Sequence, residues 1–305
     1  MDRQSVLRVL LVTLLSLSVF THSYAYTWTE DTSVGSTKNW HQHGITSSSD
    51  GTKLAAVVYT GNIWTSTDSG ASWTEDTSIG TTKKWVGISS SSDGTKLAAV
   101  VYNGNIWTSN DSGASWTEDT SVGSAKYWQS ITHSNDGTKL AAVAHLPNGG
   151  VWTSTDSGAT WTKGGANDLR WRCISSSNDG TKLAAVVLYL NIWTSSDSGA
   201  SWTEVTSAGS PKNWESITSS SDGTKLAAVA NPGNVWTSTD SGASWTETST
   251  GSTNAWVGIS SSSDGTNLAA VVSNGNIWTS TDSGASWTED TSVGTTKGLG
   301  LGFRV

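Results

Sequence analysis

The chain has 305 residues, and its 25 acidic and 17 basic side chains give a formal net charge of −8. This acidic balance argues against nucleic-acid binding, which needs a basic surface to displace the counterions of phosphate groups. A single cysteine excludes an internal disulfide framework and any zinc site built from several cysteines. Nineteen tryptophans against two phenylalanines are far from ordinary composition and indicate a repeated unit.

Residues 1–25 have the pattern of a signal peptide. Arg3 lies at a basic start, an apolar run follows from Val9 to Phe20, and Ser23 and Ala25 occupy the −3 and −1 positions of a small-residue cleavage site. The apolar run is too short for a membrane anchor. We therefore expect a protein that is secreted, or exported to a periplasm or another lumenal compartment, with no membrane span after cleavage.

After residue 25 the chain consists of one unit repeated six times. Each copy contains a Ser-x-Asp-x-Gly-x-x-Trp run, and the tryptophans that end these runs are separated by 43, 45, 41, 43 and 42 residues. A unit of this size is too small to bury its own apolar face. Its period indicates a stacked array or a propeller.

Within one copy every local signal is that of a β-strand. In the second copy a first strand begins at Trp85, an Asp-Gly turn follows at 93–94, and the apolar run 96–102 forms a second strand. Ile106–Ser109 and Trp116–Glu118 follow as third and fourth strands, again separated by Gly-containing turns. Four short antiparallel strands per repeat are typical of one propeller blade. The sequence therefore predicts an all-β, six-bladed propeller over 26–297, almost without helix.

The number of fourth-strand sequences does not match the number of the other three strand types. Trp28-Thr29-Glu30 repeats the fourth-strand sequence of Trp287-Thr288-Glu289, which gives seven fourth strands for six sets of the other three. We expect the N-terminal strand to help close a six-bladed ring. The alternative is seven blades, one of them incomplete. Residues 298–305 depart from the repeat and form a divergent tail.

The run Ser66-x-Asp68-x-Gly70-x-x-Trp73 resembles the Asp box, or BNR repeat, of sialidase-like propellers, and it returns intact in all six copies. We call this segment, between the third and fourth strands, the outer turn; the Ser-x-Asp-Gly-Thr segment between the first and second strands is the inner turn. The resemblance implies that the outer turn stabilises the fold away from any active face, with the aspartate accepting backbone hydrogen bonds. The aspartates expected to be structural are Asp68, Asp111, Asp156, Asp197, Asp240 and Asp282.

The catalytic residues of sialidases do not accompany this resemblance. That chemistry uses three arginines on the substrate carboxylate, whereas the chain after residue 25 has only Arg170, Arg172 and Arg304, two of them in one repeat. Glycoside hydrolysis needs two carboxylates in distinct environments, but Glu75-Asp76 and its equivalents recur from copy to copy. We expect no enzymatic activity and no cofactor.

A metal site is not expected either. His41 and His43 form a His-x-His pair without an obvious third ligand, and a metal needs three or more convergent ligands. The sequence favours a pair of surface histidines.

Sequence differences among the copies are concentrated in two connections of each blade. The inner and outer turns are nearly invariant and lie on one face of a blade, which we call the turn face. The second-to-third and fourth-to-first connections lie on the other face and vary; we call them the variable rim. Loops on a rigid scaffold commonly carry binding residues, so a ligand is expected there.

Six tryptophans border the variable rim, one at the start of each first strand. We expect them to pack between blades; if exposed, they would stack on sugar rings. The candidate ligand-binding residues are Trp40, Trp85, Trp128, Trp171, Trp214, Trp256, Tyr59, Tyr102, His145, Tyr189, Arg170 and Arg172.

Two functions follow from this pattern. The first is an exported, monomeric, glycan-binding propeller. The alternative is a scaffold for an extracellular protein partner, because similar Asp-box propellers include photosystem II assembly factors and sortilin-type receptors, which hold proteins without catalysis. Burial of the six tryptophans would favour the protein partner.

Overall fold

The computed structural model describes residues 38–147, 149–209 and 211–291, the pair 34–35, and the backbone of four short segments nearer the termini. The short segments are β1 (Leu7–Arg8), β2 (Leu10–Leu11), β3 (Thr29–Glu30) and β28 (Gly298–Leu299). All regular structure in these residues is β, which confirms the predicted fold class. The described part of the chain contains no helix with the length and apolar character needed to cross a bilayer.

Each repeat forms one antiparallel blade of four strands, in the order predicted from the sequence. Blades 1 to 3 consist of β4 (Trp40–Ser47), β5 (Leu54–Gly61), β6 (Ile63–Ser66), β7 (Thr74–Asp76); β8 (Lys83–Ser90), β9 (Leu97–Gly104), β10 (Ile106–Ser109), β11 (Thr117–Asp119); and β12 (Lys126–His133), β13 (Leu140–His145), β14 (Gly150–Ser154), β15 (Thr162–Lys163). Blades 4 to 6 consist of β16 (Trp171–Ser176), β17 (Leu183–Leu190), β18 (Ile192–Ser195), β19 (Thr203–Val205); β20 (Lys212–Ser219), β21 (Leu226–Ala230), β22 (Val235–Ser238), β23 (Thr246–Thr248); and β24 (Trp256–Ser261), β25 (Leu268–Val272), β26 (Ile277–Ser280), β27 (Thr288–Asp290).

The short terminal strands pair with one another and not with these blades. β1 runs parallel to β28, and β2 pairs antiparallel with β3. The sixth blade takes its fourth strand, β27, from its own repeat. Thr29–Glu30 was expected to help close the ring, but in this structure it pairs with Leu10–Leu11.

The core lies between neighbouring blades. Trp85 of blade 2 packs in one cluster with Ala55, Val57 and Ile63 of blade 1. Its ring also meets Trp107 of its own blade edge-on, with centroids 6.2 Å apart, a favourable geometry for two aromatic rings. The same pair recurs in every blade, so each blade covers the apolar face that its neighbour cannot bury alone.

Both turns of the turn face are closed by serine and aspartate side chains. In the first outer turn the Asp68 carboxylate accepts hydrogen bonds from the Ser66 hydroxyl (2.8 Å) and the Ser72 N–H (2.9 Å), while the Gly70 N–H donates to Ser66 Oγ (2.9 Å). The inner turn uses the same kinds of side chain at a different spacing. Asp93 accepts a hydrogen bond from the Ser91 hydroxyl at 2.6 Å. These bonds satisfy backbone groups that the strand ladders leave open.

The turn face also joins one blade to the next. The Ser92 N–H donates to the Asn135 carbonyl of the following blade (2.8 Å), and the Lys96 ammonium donates to Ser157 Oγ (3.1 Å) of that blade's outer turn. The backbone bond recurs from blade 1 through blade 6. The sixth copy has Asn267 in place of the lysine, and within the described ranges no such bond links blade 6 to blade 1. That junction therefore differs from the others.

Two glycines with similar positive φ allow the cost of backbone strain to be distinguished from the cost of a steric clash. Gly113 in the second outer turn and Gly123 in the next connection have φ of +89° and +82°, but an added Cβ would lie 2.8 Å from Thr65 Cγ2 only at Gly113. We expect Gly123→Ala to cost about 1–2 kcal/mol of unfolding free energy through left-handed strain, and Gly113→Ala to cost more. Urea unfolding of both variants tests this, and equal losses would contradict the blade contact.

The aspartates of the turn face should make the stability of the folded protein sensitive to acid. Hydrogen bonds from Ser91 and from Thr95 lower the pKa of Asp93 to about 2, and the same cause lowers the pKa of the other inner-turn and outer-turn aspartates. Because these groups are more acidic folded than unfolded, their stabilisation is complete above about pH 4 and is lost as the pH falls towards 2. Melting temperatures measured across that interval should fall steeply, and an Asp93→Asn variant should fall less. A flat profile would mean that these bonds do not stabilise the native state.

Candidate functional site

The first strands of all six blades surround one axial cavity of about 190 Å³. Its wall consists of hydroxyl side chains alternating with one isoleucine from each blade: Ile45, Ile88, Ile131, Ile174, Ile217 and Ile259. Cys173 also lines it; the thiol is buried, and burial raises its pKa. Because one strand from each blade contributes, the blades are arranged around a common axis.

At the end of this cavity nearest the variable rim, the residue after the first-strand tryptophan is of five different types among the six copies. In blades 2 to 6 the strand register shifts at this residue, and such a β-bulge redirects a side chain. In blade 1 the irregular stretch is longer and runs from Trp40 to Ile45. The six residues are His41, Val86, Gln129, Arg172, Glu215 and Val257.

Three of these side chains from consecutive blades are bonded together. Arg172 Nε donates to Glu215 Oε2 at 2.8 Å, and its NH2 lies 2.8 Å from the same oxygen. Its NH1 donates to the Gln129 amide oxygen at 3.2 Å. Glu215 and Gln129 are each only 8% exposed, so the guanidinium joins blades 3, 4 and 5 at the axis.

The two histidines lie in the electrostatic field of this arginine. Burial of the His41 ring, followed by the positive charge of Arg172, lowers its pKa to about 3. Burial, His41 and Arg172 together lower the pKa of His43 well below its ordinary value. The sequence predicted a surface pair, whereas both rings are half-buried in the structure, and their lowered pKa values leave them neutral at physiological pH. The described residues contain no group of three or more histidine, cysteine and acidic side chains placed to hold a metal.

The six first-strand tryptophans are buried, with exposed fractions from 0 to 6%. Three of their indole N–H groups donate to backbone carbonyls, as Trp128 Nε1 does to Gly104 at 3.1 Å. In this structure their faces are covered by neighbouring blades. They are therefore not available to stack on a sugar.

The other predicted ligand-binding residues are spread over four blades, and all but Arg172, which lies at the axis, belong to the variable rim. Tyr59 lies beside His41, with ring centroids 6.2 Å apart, and Tyr102 packs on Tyr127 at 5.0 Å. His145 is half-buried. Tyr189 is 59% exposed, and Arg170 is exposed while Arg172 is bound to Glu215.

The acidic residues of the repeats are engaged in holding the blades. Each outer-turn aspartate accepts the same hydrogen bonds from serine, or from threonine in the third copy. In five blades the fourth-strand glutamate accepts a bond from an asparagine of the second-to-third turn, as Glu118 does from Asn105 at 3.0 Å. Their recurrence is thus explained by structure.

Sequence reasoning overlooked Gln129 and Glu215. The signal that would have found them is their alignment within the repeat, because both occupy the variable position after the first-strand tryptophan. Only the fold shows that this position in successive blades converges at the axis.

Comparisons with known proteins identify the architecture. No protein-family model matches the chain, and no curated protein matches it. Among solved structures, YCF48 bound to D1 peptide has a TM-score of 0.65 at 15% identity, covering 84% of this chain and 83% of that one. YCF48 from Cyanidioschyzon merolae has a TM-score of 0.65 at 14% identity over 86% and 87%. A GH74 xyloglucanase from Xanthomonas campestris has a TM-score of 0.45 at 13% identity, covering 86% and 53%. At these identities the first two show a shared propeller fold and nothing more.

The axial arginine makes a testable prediction about the two histidines. Arg172→Met removes the positive charge, so the pKa of His41 and of His43 should rise while burial keeps both below the ordinary value. It also leaves the buried Glu215 carboxylate without its partner, which should cost about 1.5–3 kcal/mol. NMR titration of the ring carbons and urea unfolding measure the two effects. Arg170→Met, which removes an exposed arginine of the same blade, is the matched control and should change neither.

Proposed function

We propose that this protein is a non-catalytic Asp-box propeller that binds a protein partner through its variable rim. The observation that carries the proposal is the difference between the two faces of the blades. On the turn face, repeated hydroxyl, carboxylate and lysine groups are bonded to one another within and between blades. On the rim and at the axial mouth, the side chains differ from blade to blade.

Asymmetry of this kind supports recognition of one partner. A ring of equal repeats offers the same contacts several times, whereas a specific interface needs a unique arrangement of groups. Among the described blades the Gln129–Arg172–Glu215 cluster occurs once, and hydrogen bonds hold it together across three blades. It provides a fixed centre around which the rim loops are placed.

The use of the carboxylates supports a non-catalytic role. Catalytic acids need distinct, tuned environments, but the outer-turn aspartates share one environment and a lowered pKa. Glu215 is ion-paired with Arg172. Arg170 and Arg172, the arginines whose side chains the structure describes, belong to one blade, unlike the arginine cluster of the sialidases.

A protein partner is favoured over a glycan. The glycan hypothesis depended on exposed indole rings at the first strands, and those rings are buried. A similar propeller, YCF48, is known bound to D1 peptide. Peptide binding is a property of YCF48. For this chain it supports a protein as the class of ligand, and no particular protein.

We further propose that the protein acts outside the compartment where it is made. The basic start, short apolar run and small residues at −3 and −1 of residues 1–25 support export. The partner would then be an extracellular or lumenal protein.

A peptide selection combined with footprinting tests the proposed function. Random peptides displayed on phage are selected against the immobilised protein, and a glycan array is probed in parallel. We expect selected peptides to protect Tyr59, Tyr102 and Tyr189 of the rim from hydroxyl-radical oxidation while Trp73 and Trp287 of the outer turns stay reactive. Protection confined to the outer turns, or binding to glycans and to no peptide, would contradict the proposal.

A further inference from the structure

One turn of the variable rim, in blade 4, exposes two large apolar side chains. Among the described residues the exposed large hydrophobic side chains are Leu146 (39%), Tyr189 (59%) and Leu190 (36%). All three lie where a second strand turns into the third: Leu146 directly follows β13 in blade 3, and Tyr189 and Leu190 are the last two residues of β17 in blade 4. At the positions of Tyr189 and Leu190, blades 1, 2 and 6 have Thr60-Gly61, Asn103-Gly104 and Asn274-Gly275.

Both residues in blade 4 are unfavourable for the turn itself. Tyr189 has a φ of +61°, in the left-handed region that asparagine and glycine tolerate best. At Gly61 and Gly104 an added Cβ would lie 2.6 and 2.7 Å from a valine Cγ1 of the same strand, so the next position favours glycine. Leu190 occupies that position in blade 4.

The remainder of the turn is unchanged. Asn191 donates to Glu204 at 2.8 Å, as Asn105 does to Glu118 in blade 2. The hydrogen-bonded frame of the turn is therefore kept, while Tyr189 and Leu190 remain 59% and 36% exposed. Tyr189 gains little burial in return for its left-handed backbone conformation, which indicates a role outside the folded chain.

A cation lies next to this turn. The Arg170 carbonyl accepts the Leu188 N–H at 2.9 Å, which places the arginine opposite the start of the turn. Arg170 is exposed, and no hydrogen bond or ion pair is found for its guanidinium within residues 149–209 and the other described ranges. Nearby charges are already engaged: Lys163 pairs with Asp168 at 2.6 Å, and Lys212 lies 4.4 Å from the Trp236 ring centroid.

We propose that Tyr189, Leu190 and Arg170 form the docking point for a segment of the partner protein that presents an apolar side chain beside a carboxylate. The proposal rests on the proposed function and names its location and chemistry. The apolar side chain packs on Tyr189 and Leu190, and the carboxylate pairs with Arg170, which carries positive charge on a chain of net charge −8. A glycan fits this turn less well, because leucine offers no hydrogen bond to a sugar hydroxyl.

The test uses the full chain and a fluorescein-labelled synthetic peptide in which leucine and phenylalanine alternate with glutamate. Two matched peptides have lysine in place of glutamate, or serine in place of the apolar residues. Fluorescence anisotropy should show binding of the acidic, apolar peptide alone. The double variant Tyr189→Asn/Leu190→Gly restores the sequence of blade 2 and should weaken binding at least about tenfold while raising the melting temperature. Arg170→Gln should weaken it by a similar factor, and Thr60→Asn, in the same turn of blade 1, should leave it unchanged.

Several results would overturn this inference. Equal affinity of wild type and the double variant is one, and equal binding of the three peptides is another. If selected phage peptides bind the rim but the acidic, apolar peptide does not, the proposed function stands and this docking point is wrong. If neither selected phage peptides nor the acidic, apolar peptide binds, both proposals are wrong. Sedimentation velocity provides the remaining check: a dimer that dissociates in the double variant would identify a second copy as the occupant.

Discussion

A blade of this protein creates an apolar face that it cannot cover, and the rest of the structure depends on how that face is buried. The second strand of each repeat is almost continuously apolar, and Ala98 to Val101 are all buried. A four-stranded blade has too little volume to enclose such a strand by itself. The first-strand tryptophan of the following blade supplies the cover, as Trp85 does for Val57 and Ile63. A large aromatic side chain removes about 150–250 Å² from solvent, so one indole per junction is a sizeable part of the stabilisation.

Because one indole fills each junction, neighbouring blades must keep a fixed spacing. Polar contacts on the turn face hold that spacing. The lysine of one inner turn reaches the serine of the next blade's outer turn, and a backbone hydrogen bond runs beside it. These polar contacts are repeated because the geometry is repeated. At the junctions from blade 1 through blade 6, these contacts help to hold the spacing at which the indole covers the neighbouring strand. The invariance of the turns is therefore a structural requirement, which leaves only the opposite face able to vary.

The variable face divides into a rigid centre and an adaptable periphery. At the centre, β-bulges bring Gln129, Arg172 and Glu215 from separate blades into one buried cluster. Burial, reinforced by the charge of Arg172, lowers the pKa of His41 and of His43 and keeps both rings neutral. At the periphery, the turns carry different side chains on the same hydrogen-bonded frame. Tyr189 and Leu190 illustrate this separation, because the Asn191–Glu204 bond persists beneath them. In the proposed function, recognition is therefore placed on side chains that vary without changing the hydrogen-bonded frame of the turn.

The sequence by itself determined the strands, the turns and the face on which variation occurs, because these features are local and each is repeated six times. The positive φ of Gly113 and the hydrogen bonds of Asp111 follow from residue chemistry within one hairpin. The tertiary structure decided what depends on distances between blades. It buried Trp40 and its five equivalents, since exposure of an indole is a property of the neighbouring blade. It also joined Arg172 to Glu215, which lie 43 residues apart in the chain and meet only because successive first strands surround one axis.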